Sequence, residues 1–221
     1  MKDRIGSQIL THYPETLEIA KTITQQEAKF SEDVSIAINV PALAKDILEQ
    51  IVFEARMSEY IDTKSGVSAR MSITMYENLM ATAERRALLS GDDKTSIRLS
   101  DFMRLIPAIT GKVELVYEGA QEGAAQVTHF LIGDAIHTLL SGYFPKIEKI
   151  ERENEKNAYS DLLEWFFAET GFELLDEASD SEYQFILDSV KPLDILIKKY
   201  QPAMDKKDIY FMKKIYTLGD G

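Results

Sequence analysis

The chain contains Ser65-Gly66-Val67-Ser68-Ala69-Arg70, and the pattern that follows is helical through Ala83-Glu84-Arg85-Arg86-Ala87. Ser68 is a suitable N-cap and Gly91 a suitable stop, so the stretch predicts one long helix over residues 68–90. Arg70 then falls near the second helical position, where the backbone already carries about half a positive charge. A cation is unfavourable there unless an anion binds both charges, so this helix start is a predicted phosphate site.

Outward from this helix, most of the chain also carries helical patterns, with apolar residues recurring every three or four positions. The predicted helices cover Thr24–Phe30, Pro41–Ile61, Ala124–Tyr143, Lys146–Asn157, Asp161–Glu169, Ser181–Val190, Leu193–Tyr200 and Asp205–Tyr216, with a further one from Ser100 that Pro107 ends or kinks. Leu17, Ile19 and Ile23 alternate with polar residues and predict a short strand instead. Residues 112–117 fit either a strand or a helix. The chain is therefore predicted to be mainly α.

The composition is that of an ordinary globular chain, with 221 residues, 45% apolar content, no cysteine and a net charge of −12. Without cysteine there is no disulfide framework, thiol nucleophile or thiolate metal site. No apolar run approaches the roughly 18 residues that a membrane span requires, and no leader is recognisable. The negative charge disfavours nucleic acid and anionic membranes, because phosphate backbones bind clustered Lys and Arg. We therefore predict a cytoplasmic protein that binds neither nucleic acid nor membrane.

The negative charge is concentrated in residues 151–190, which contain 12 Asp and Glu but only 2 Lys and Arg. A block of this kind is most often a solvated helix face. A docking site for a basic partner is the alternative interpretation. Phe144-Pro145, just before this block, is the best internal boundary of the chain.

Other candidate residues favour structural roles. Arg70 itself has a competing interpretation, as a surface arginine paired with a nearby carboxylate. Arg85 and Arg86 lie near the end of the same helix, where the dipole favours cations, so helix-end stabilisation and a structural ion pair are expected. His129 and His137 lie about 12 Å apart along one helix and cannot share a metal ion. The sequence contains no Gly-x-Ser-x-Gly nucleophile elbow, no Walker A phosphate-binding loop and no Gly-x-Gly-x-x-Gly dinucleotide-binding motif. The residues alone therefore predict no active site.

Four further stretches accompany Ser65–Arg70: Lys2-Asp3-Arg4-Ile5-Gly6-Ser7-Gln8-Ile9, Glu77-Asn78, the Ala83–Ala87 run, and Pro107-Ala108-Ile109-Thr110-Gly111-Lys112-Val113-Glu114-Leu115-Val116-Tyr117-Glu118-Gly119. Together these stretches resemble the C-terminal part of the magnesium chelatase ATPase subunit family. Its members are AAA+ ATPases, and MoxR-like proteins are their relatives. The resemblance covers about residues 1–143, is most specific over residues 65–120, and does not extend to residues 146–221.

The resemblance implies roles for three residues. Arg70 would be the sensor 2 arginine, which reaches from the helical lid to the γ-phosphate of ATP. Ser68 would cap the sensor helix, aim Arg70 and share in binding the nucleotide. Arg4 would be the arginine finger that acts on the nucleotide of the neighbouring subunit, although Ile5 stands where the family often has an aromatic residue. An arginine finger is worth about 10³–10⁵ in the rate of phosphoryl transfer.

The family's Walker A loop, Walker B carboxylates and sensor 1 have no counterpart in this chain. The resemblance therefore implies a fragment that needs the remainder of the AAA+ core to hold ATP and Mg²⁺. Such a fragment is expected to have no ATPase activity by itself, and no metal site of its own is predicted.

The implied fold is a helical bundle of the AAA+ lid type with an additional C-terminal helical extension. Residues 1–30 would be the tail of the AAA+ core, residues 31–144 the helical lid domain with sensor 2, and residues 145–221 an acidic helical extension. The intact ATPase would form a ring, a hexamer, and would remodel a partner or insert a metal into it. A protein with a von Willebrand A-type domain is the partner implied. A stand-alone helical interaction module without nucleotide chemistry is the alternative.

Overall fold

In a computed structural model, residues 9–30, 36–62, 64–144, 159–168 and 174–217 are described, and they are mainly helical. The longer elements are α1 (Leu17–Glu27), α2 (Ala42–Met57), α3 (Arg70–Ser90), α7 (Ala124–Leu140), α8 (Ser160–Ala168), α9 (Asp180–Ser189), α10 (Lys191–Tyr200) and α11 (Lys206–Thr217). The short ones are β1 (Ala37–Asn39), β2 (Lys94–Ser96), α4 (Leu99–Phe102), a 3₁₀ turn (Met103–Leu105), α5 (Ile106–Thr110) and α6 (Tyr117–Glu122). The mainly α prediction is confirmed.

Helix α2 lies at the centre of the molecule and packs against α1, α3, α7 and α11. The six apolar positions that predicted this helix are all buried, namely Leu43, Ile47, Leu48, Ile51, Val52 and Ala55. Burying one large aliphatic side chain contributes about 1.5–3 kcal/mol, so this stripe is a main source of stability. The helix ends at Met57, four residues before the predicted end at Ile61.

The first helix corrects two predictions. Residues 17–27 form a single helix, so both the strand over Leu17–Ile23 and the separate helix from Thr24 are wrong. Thr16 is the N-cap, and its Oγ1 accepts a hydrogen bond from the backbone N–H of Ile19 at 3.3 Å. Only the small residues Ala20 and Thr24, four positions apart, are buried. Leu17 and Ile23 flank these two residues and are half-buried, whereas Ile19 is exposed, so the large apolar residues did not identify the buried face.

Two short strands, which the sequence did not predict, form a parallel pair. Ala37, Ile38 and Asn39 of β1 lie opposite Lys94, Thr95 and Ser96 of β2. Residues 112–117 fitted either a strand or a helix in the sequence. In the structure Leu115 forms an isolated antiparallel bridge with Ile61, and α6 begins at Tyr117. Each strand is too short to display a period of two, so only the folded chain reveals them.

Two prolines lie inside first turns of helices. Pro107, predicted to end or kink a helix, follows the 3₁₀ turn and occupies the first turn of α5. Pro192, between the predicted helices Ser181–Val190 and Leu193–Tyr200, lies in the first turn of α10. A proline is tolerated there because the backbone N–H of the first turn has no partner within the helix.

The last helices share one hydrophobic core with α2 and α3. Leu162, Val190, Leu193 and Phe211 belong to the same buried cluster as Leu43. The division of the chain into the three predicted domains stays a prediction, and the predicted helix Lys146–Asn157 lies outside the described residues. Within the described ranges, no helix is long and apolar enough to cross a membrane.

Candidate functional site

The candidate site is the loop that leads into α3. The helix begins at Arg70, so this arginine is the first helical residue, and Ala69 is the N-cap. The helix thus begins two residues after the predicted start at Ser68, although Ala69 already has helical dihedral angles and makes no capping hydrogen bond with its side chain. Ser68 nevertheless supports the helix start, since its Oγ accepts a hydrogen bond from the Arg70 N–H at 3.3 Å and its carbonyl one from the Met71 N–H at 2.9 Å.

Two buried side chains fix the position of this turn. Val67 and Met71, on either side of Arg70, are both buried in the main core. Gly66 just before them has a φ of 72°, which few residues other than glycine adopt readily. A Cβ at Gly66 would also lie 2.6 Å from the Tyr13 hydroxyl oxygen. The loop is therefore anchored from within the core and covered from outside by Tyr13.

Arg56 joins this loop to the segment before α1. Its Nε–H donates a hydrogen bond of 3.2 Å to the Val67 carbonyl oxygen, and its guanidinium carbon lies 4.3 Å from the Tyr13 ring centroid. Burial lowers the pKa of Arg56, but a guanidinium remains charged at neutral pH. Ser65 donates from its hydroxyl to the Glu114 carboxylate, which closes the other side of the loop. These contacts hold the start of α3 in one place.

The Arg70 side chain, by contrast, is exposed. Within the ranges that the structure describes, its guanidinium makes no hydrogen bond and no ion pair, and the first turn of α3 contains no acidic residue. The competing interpretation, a surface arginine paired with a carboxylate, stays open, and no described carboxylate pairs with Arg70. A positive helix end and a cation without a partner among the described residues lie at the same point, which suits one anionic group such as a phosphate.

Arg86, near the other end of α3, has the structural role predicted for it. Its buried guanidinium pairs with Asp101 at 2.9 Å between Nη2 and Oδ2, and it also donates to Thr95 Oγ1 at 2.8 Å and to the Ser96 carbonyl oxygen at 2.9 Å. These bonds join α3, β2 and α4. Arg85 beside it is exposed.

Other predicted candidates do not join this site. Arg4 lies outside the described residues, so its role as an arginine finger stays a prediction. His129 and His137 are both exposed. The described part of the chain brings together no group of three or more His, Cys, Asp or Glu that could hold a metal ion.

Arg98 and Tyr183 are two buried residues with polar groups that were not among the candidates predicted from sequence. Arg98 follows β2 and is 2% exposed, and its guanidinium carbon lies 3.9 Å from the ring centroid of Tyr183 on α9. Arg98 stands between the apolar residues Ile97 and Leu99, which is the single local indication of burial. Its partner lies far along the chain, where no spacing rule connects the two.

Comparison with known proteins gives no assignment. No family model matches this chain, and no curated protein or solved structure matches it. Function must therefore be inferred from the residues and their geometry.

Proposed function

We propose that this chain is the lid region of an AAA+ ATPase of the magnesium chelatase or MoxR type, in which Arg70 senses the phosphate of ATP. The observation that carries the proposal is the exposed guanidinium of Arg70 at the start of α3, without a partner among the described residues. Two positive charges close together are unfavourable in the absence of an anion. Such an arrangement is expected where a phosphate supplies the missing negative charge.

In this proposal, each residue of the site has a separate task. Arg70 would contact the γ-phosphate of ATP bound to the AAA+ core, and Ser68 would orient it through its hydrogen bond to the Arg70 N–H. Arg56 and Tyr13 would hold the loop against the segment that connects lid and core. Arg4 would act on the nucleotide of a neighbouring subunit. A charged group positioned at the transferring phosphoryl group lowers the barrier without forming a covalent bond.

The remaining parts of the proposal follow from the resemblance. The remainder of the AAA+ core would hold ATP and Mg²⁺, so the chain alone would hydrolyse no ATP. An arginine finger that acts between subunits requires a ring, and a hexamer is proposed. Hydrolysis would be coupled to remodelling of a partner, or to metal insertion, with a von Willebrand A-type protein as the proposed partner. A cytoplasmic location also stays part of the proposal.

The test is ATP hydrolysis by the intact ATPase with and without Arg70→Ala. We expect turnover to fall about a hundredfold, which corresponds to about 2.7 kcal/mol of lost transition-state stabilisation. Arg70→Lys should recover only part of the loss, because an ammonium lacks the planar fork of the guanidinium.

The matched control is Arg85→Ala, an exposed arginine on the same helix. It lies about 22 Å from Arg70 along the helix axis, so its removal should leave turnover unchanged. Equal turnover of Arg70→Ala and the unmodified enzyme would contradict the proposal, and so would an equal loss in the two alanine variants.

A second candidate function, a protein-interaction module, is favoured by a groove on α9. The groove has a volume of about 540 Å³ and is lined by Leu175, Glu177, Ala178, Ser181, Glu182, Phe185 and Ile186. Phe185 is 79% exposed and Leu175 is 58% exposed. Hydrogen bonds from Ser179 lower the pKa of Glu182, so this carboxylate is charged at neutral pH. An apolar floor with acidic edges suits a basic amphipathic helix of a partner protein.

Binding of a labelled amphipathic peptide of Leu and Lys, followed by fluorescence anisotropy, tests this second function. Phe185→Ser should weaken binding about tenfold, because it removes the most exposed apolar contact of the groove. Ile195→Ser is the control, since Ile195 is 68% exposed on α10 and does not line the groove. Equal binding of a scrambled peptide with the same composition would exclude a specific docking groove.

A further inference from the structure

Three buried polar atoms on the side chains of two neighbouring residues lack a hydrogen-bond partner. They are Nε and Nη2 of Arg98 and the hydroxyl oxygen of Tyr183, and within the described part of the chain no other buried side-chain nitrogen or oxygen shares this condition. Buried donors are normally satisfied, because an unmet donor loses its hydrogen bonds to water on folding. Their concentration at one place indicates that a group outside the chain completes the site.

The charged neighbours of Arg98 do not satisfy these donors. Nη1 donates to the Asp176 carbonyl oxygen at 2.9 Å, but Nη2 lies 3.7 Å from Asp180 Oδ1, beyond hydrogen-bond distance. The Asp101 carboxylate is already bound by the Arg86 guanidinium at 2.9 Å. The Arg98 guanidinium therefore has donors to spare although its side chain is only 1% exposed.

Both residues line one cavity between the β1–β2 pair and helices α9 and α11. Its volume is about 550 Å³, within the usual range of about 300–1,000 Å³ for small-molecule sites. The charged residues of its lining are Lys94, Arg98, Asp180, Lys206 and Lys207. Four cations against one carboxylate make this wall positive in a chain whose net charge is −12. Local attraction therefore favours an anion despite the overall repulsion.

The same cavity also has an apolar wall. Ile38, Ile97 and Phe211 contribute to its lining together with the ring of Tyr183. Inorganic anions gain nothing from such a surface, whereas the body of an organic anion is stabilised by contact with it.

We propose that this cavity binds a small organic anion, with a carboxylate or phosphate group attached to an apolar body. The anionic group accepts hydrogen bonds from Arg98 Nε–H and Nη2–H, and Lys94 and Lys207 add attraction at the cavity wall. The apolar body lies against Ile38, Ile97 and Phe211. This site is separate from the start of α3, so it does not depend on the proposed ATPase role of Arg70.

The experiment is a titration of the isotope-labelled full chain, followed by two-dimensional NMR. Benzoate and phenyl phosphate are the anionic probes, inorganic phosphate is the probe without an apolar body, and benzamide is the neutral isostere of benzoate. We expect saturable shifts for Ile97 and Arg98 with one of the two aromatic anions, which identifies the preferred anionic group. That anion should bind about tenfold more tightly than benzamide or inorganic phosphate.

Variants distinguish the site from general attraction to the surface. Lys94→Gln and Lys207→Gln change exposed residues, and each should weaken binding about two- to fivefold. Arg98→Lys keeps the positive charge but loses the planar guanidinium with its paired N–H donors. Binding should therefore fall about tenfold or more. Lys198→Gln is the matched control, because Lys198 is exposed and does not line the cavity.

Three outcomes would overturn the proposal. The first is the absence of saturable binding of either aromatic anion up to about 10 mM, which is weaker than a millimolar site. The second is equal binding of benzamide and benzoate, which would show that the site does not select an anion. The third is an equal effect of Lys198→Gln and the two lining variants. Because those lysines are exposed, this last comparison remains decisive even where Arg98→Lys does not fold.

Discussion

Ser72 on α3 donates a hydrogen bond of 2.7 Å to the carboxylate of Glu49 on α2, between two helices that are otherwise packed with apolar side chains. Thr24 on α1 donates a second hydrogen bond to the same carboxylate. Glu49 is 1% exposed, so one acidic group joins three helices at a point that water does not reach. Burial raises the pKa of Glu49, because desolvation disfavours the charged form more than the two hydrogen bonds favour it.

The raised pKa predicts how stability depends on pH. Between the ordinary value of 4.5 and the higher folded value, the folded state binds more protons at Glu49 than the unfolded state does. The contribution of Glu49 to the free energy of unfolding therefore falls as pH rises through this window. Glu49→Gln removes this titration, so we expect its stability to change less with pH. Urea unfolding of both proteins from pH 4 to pH 8 measures the difference.

The control for this prediction is Glu59→Gln, which changes an exposed glutamate whose carboxylate accepts no hydrogen bond from the described residues. Its pH dependence should match that of the unmodified chain. A Glu49→Gln curve parallel to the other two would show that Glu49 titrates alike in the folded and unfolded states.

Two helical glycines should respond in opposite ways to alanine. A Cβ on Gly119 of α6 would clash with the Tyr60 carbonyl oxygen, which itself accepts a hydrogen bond from the Val116 N–H at 3.1 Å. Gly119→Ala should therefore destabilise the protein by about 1–3 kcal/mol. Gly133 of α7 has open space around it, so Gly133→Ala should stabilise by up to about 1 kcal/mol. Thermal unfolding of the two variants checks the difference in sign. A gain of stability in both variants would contradict the close contact between Gly119 and the Tyr60 carbonyl oxygen.

The ion pair of Arg86 and Asp101 should be costly to break from one side. Both side chains are buried, and Arg86→Met leaves the Asp101 carboxylate without its guanidinium. We expect a loss of about 3–5 kcal/mol in the free energy of unfolding. Arg85→Met, at the exposed neighbouring position, should change it by about 0.5 kcal/mol or less. Denaturant titrations of the two variants provide the comparison. Similar unfolding midpoints would contradict the structural role of Arg86.

Arg70 should contribute nothing to the stability of the chain. Its guanidinium has no partner within the described residues and lies at the positive end of α3. Arg70→Ala should leave the free energy of unfolding unchanged or raise it by about 0.3–1 kcal/mol, and Arg70→Glu should raise it further. Urea unfolding at low salt is the measurement. A clear loss of stability in Arg70→Ala would mean that the arginine has a structural partner.

The long helices show where prediction from sequence succeeds. In α2 and α3, large apolar residues recur on one face, and Gly91 adopts the left-handed conformation expected of a helix stop, with a φ of 74°. Prediction failed for α1, since its buried face is made of Ala20 and Thr24. The β1–β2 pair was not predicted for a related reason. Three residues are too few to show an alternation of apolar and polar side chains, and the two strands lie far apart in sequence.

The sequence by itself determined the mainly helical class, the central helices and the placement of Arg70 in a first turn, because these depend on contacts between near neighbours. The tertiary structure decided which polar groups lose water. Glu49, Arg86 and Arg98 are ordinary charged residues in the sequence, and each becomes buried only when distant helices pack around it. Burial changes their chemistry through desolvation, and desolvation depends on every neighbour in space rather than on spacing along the chain.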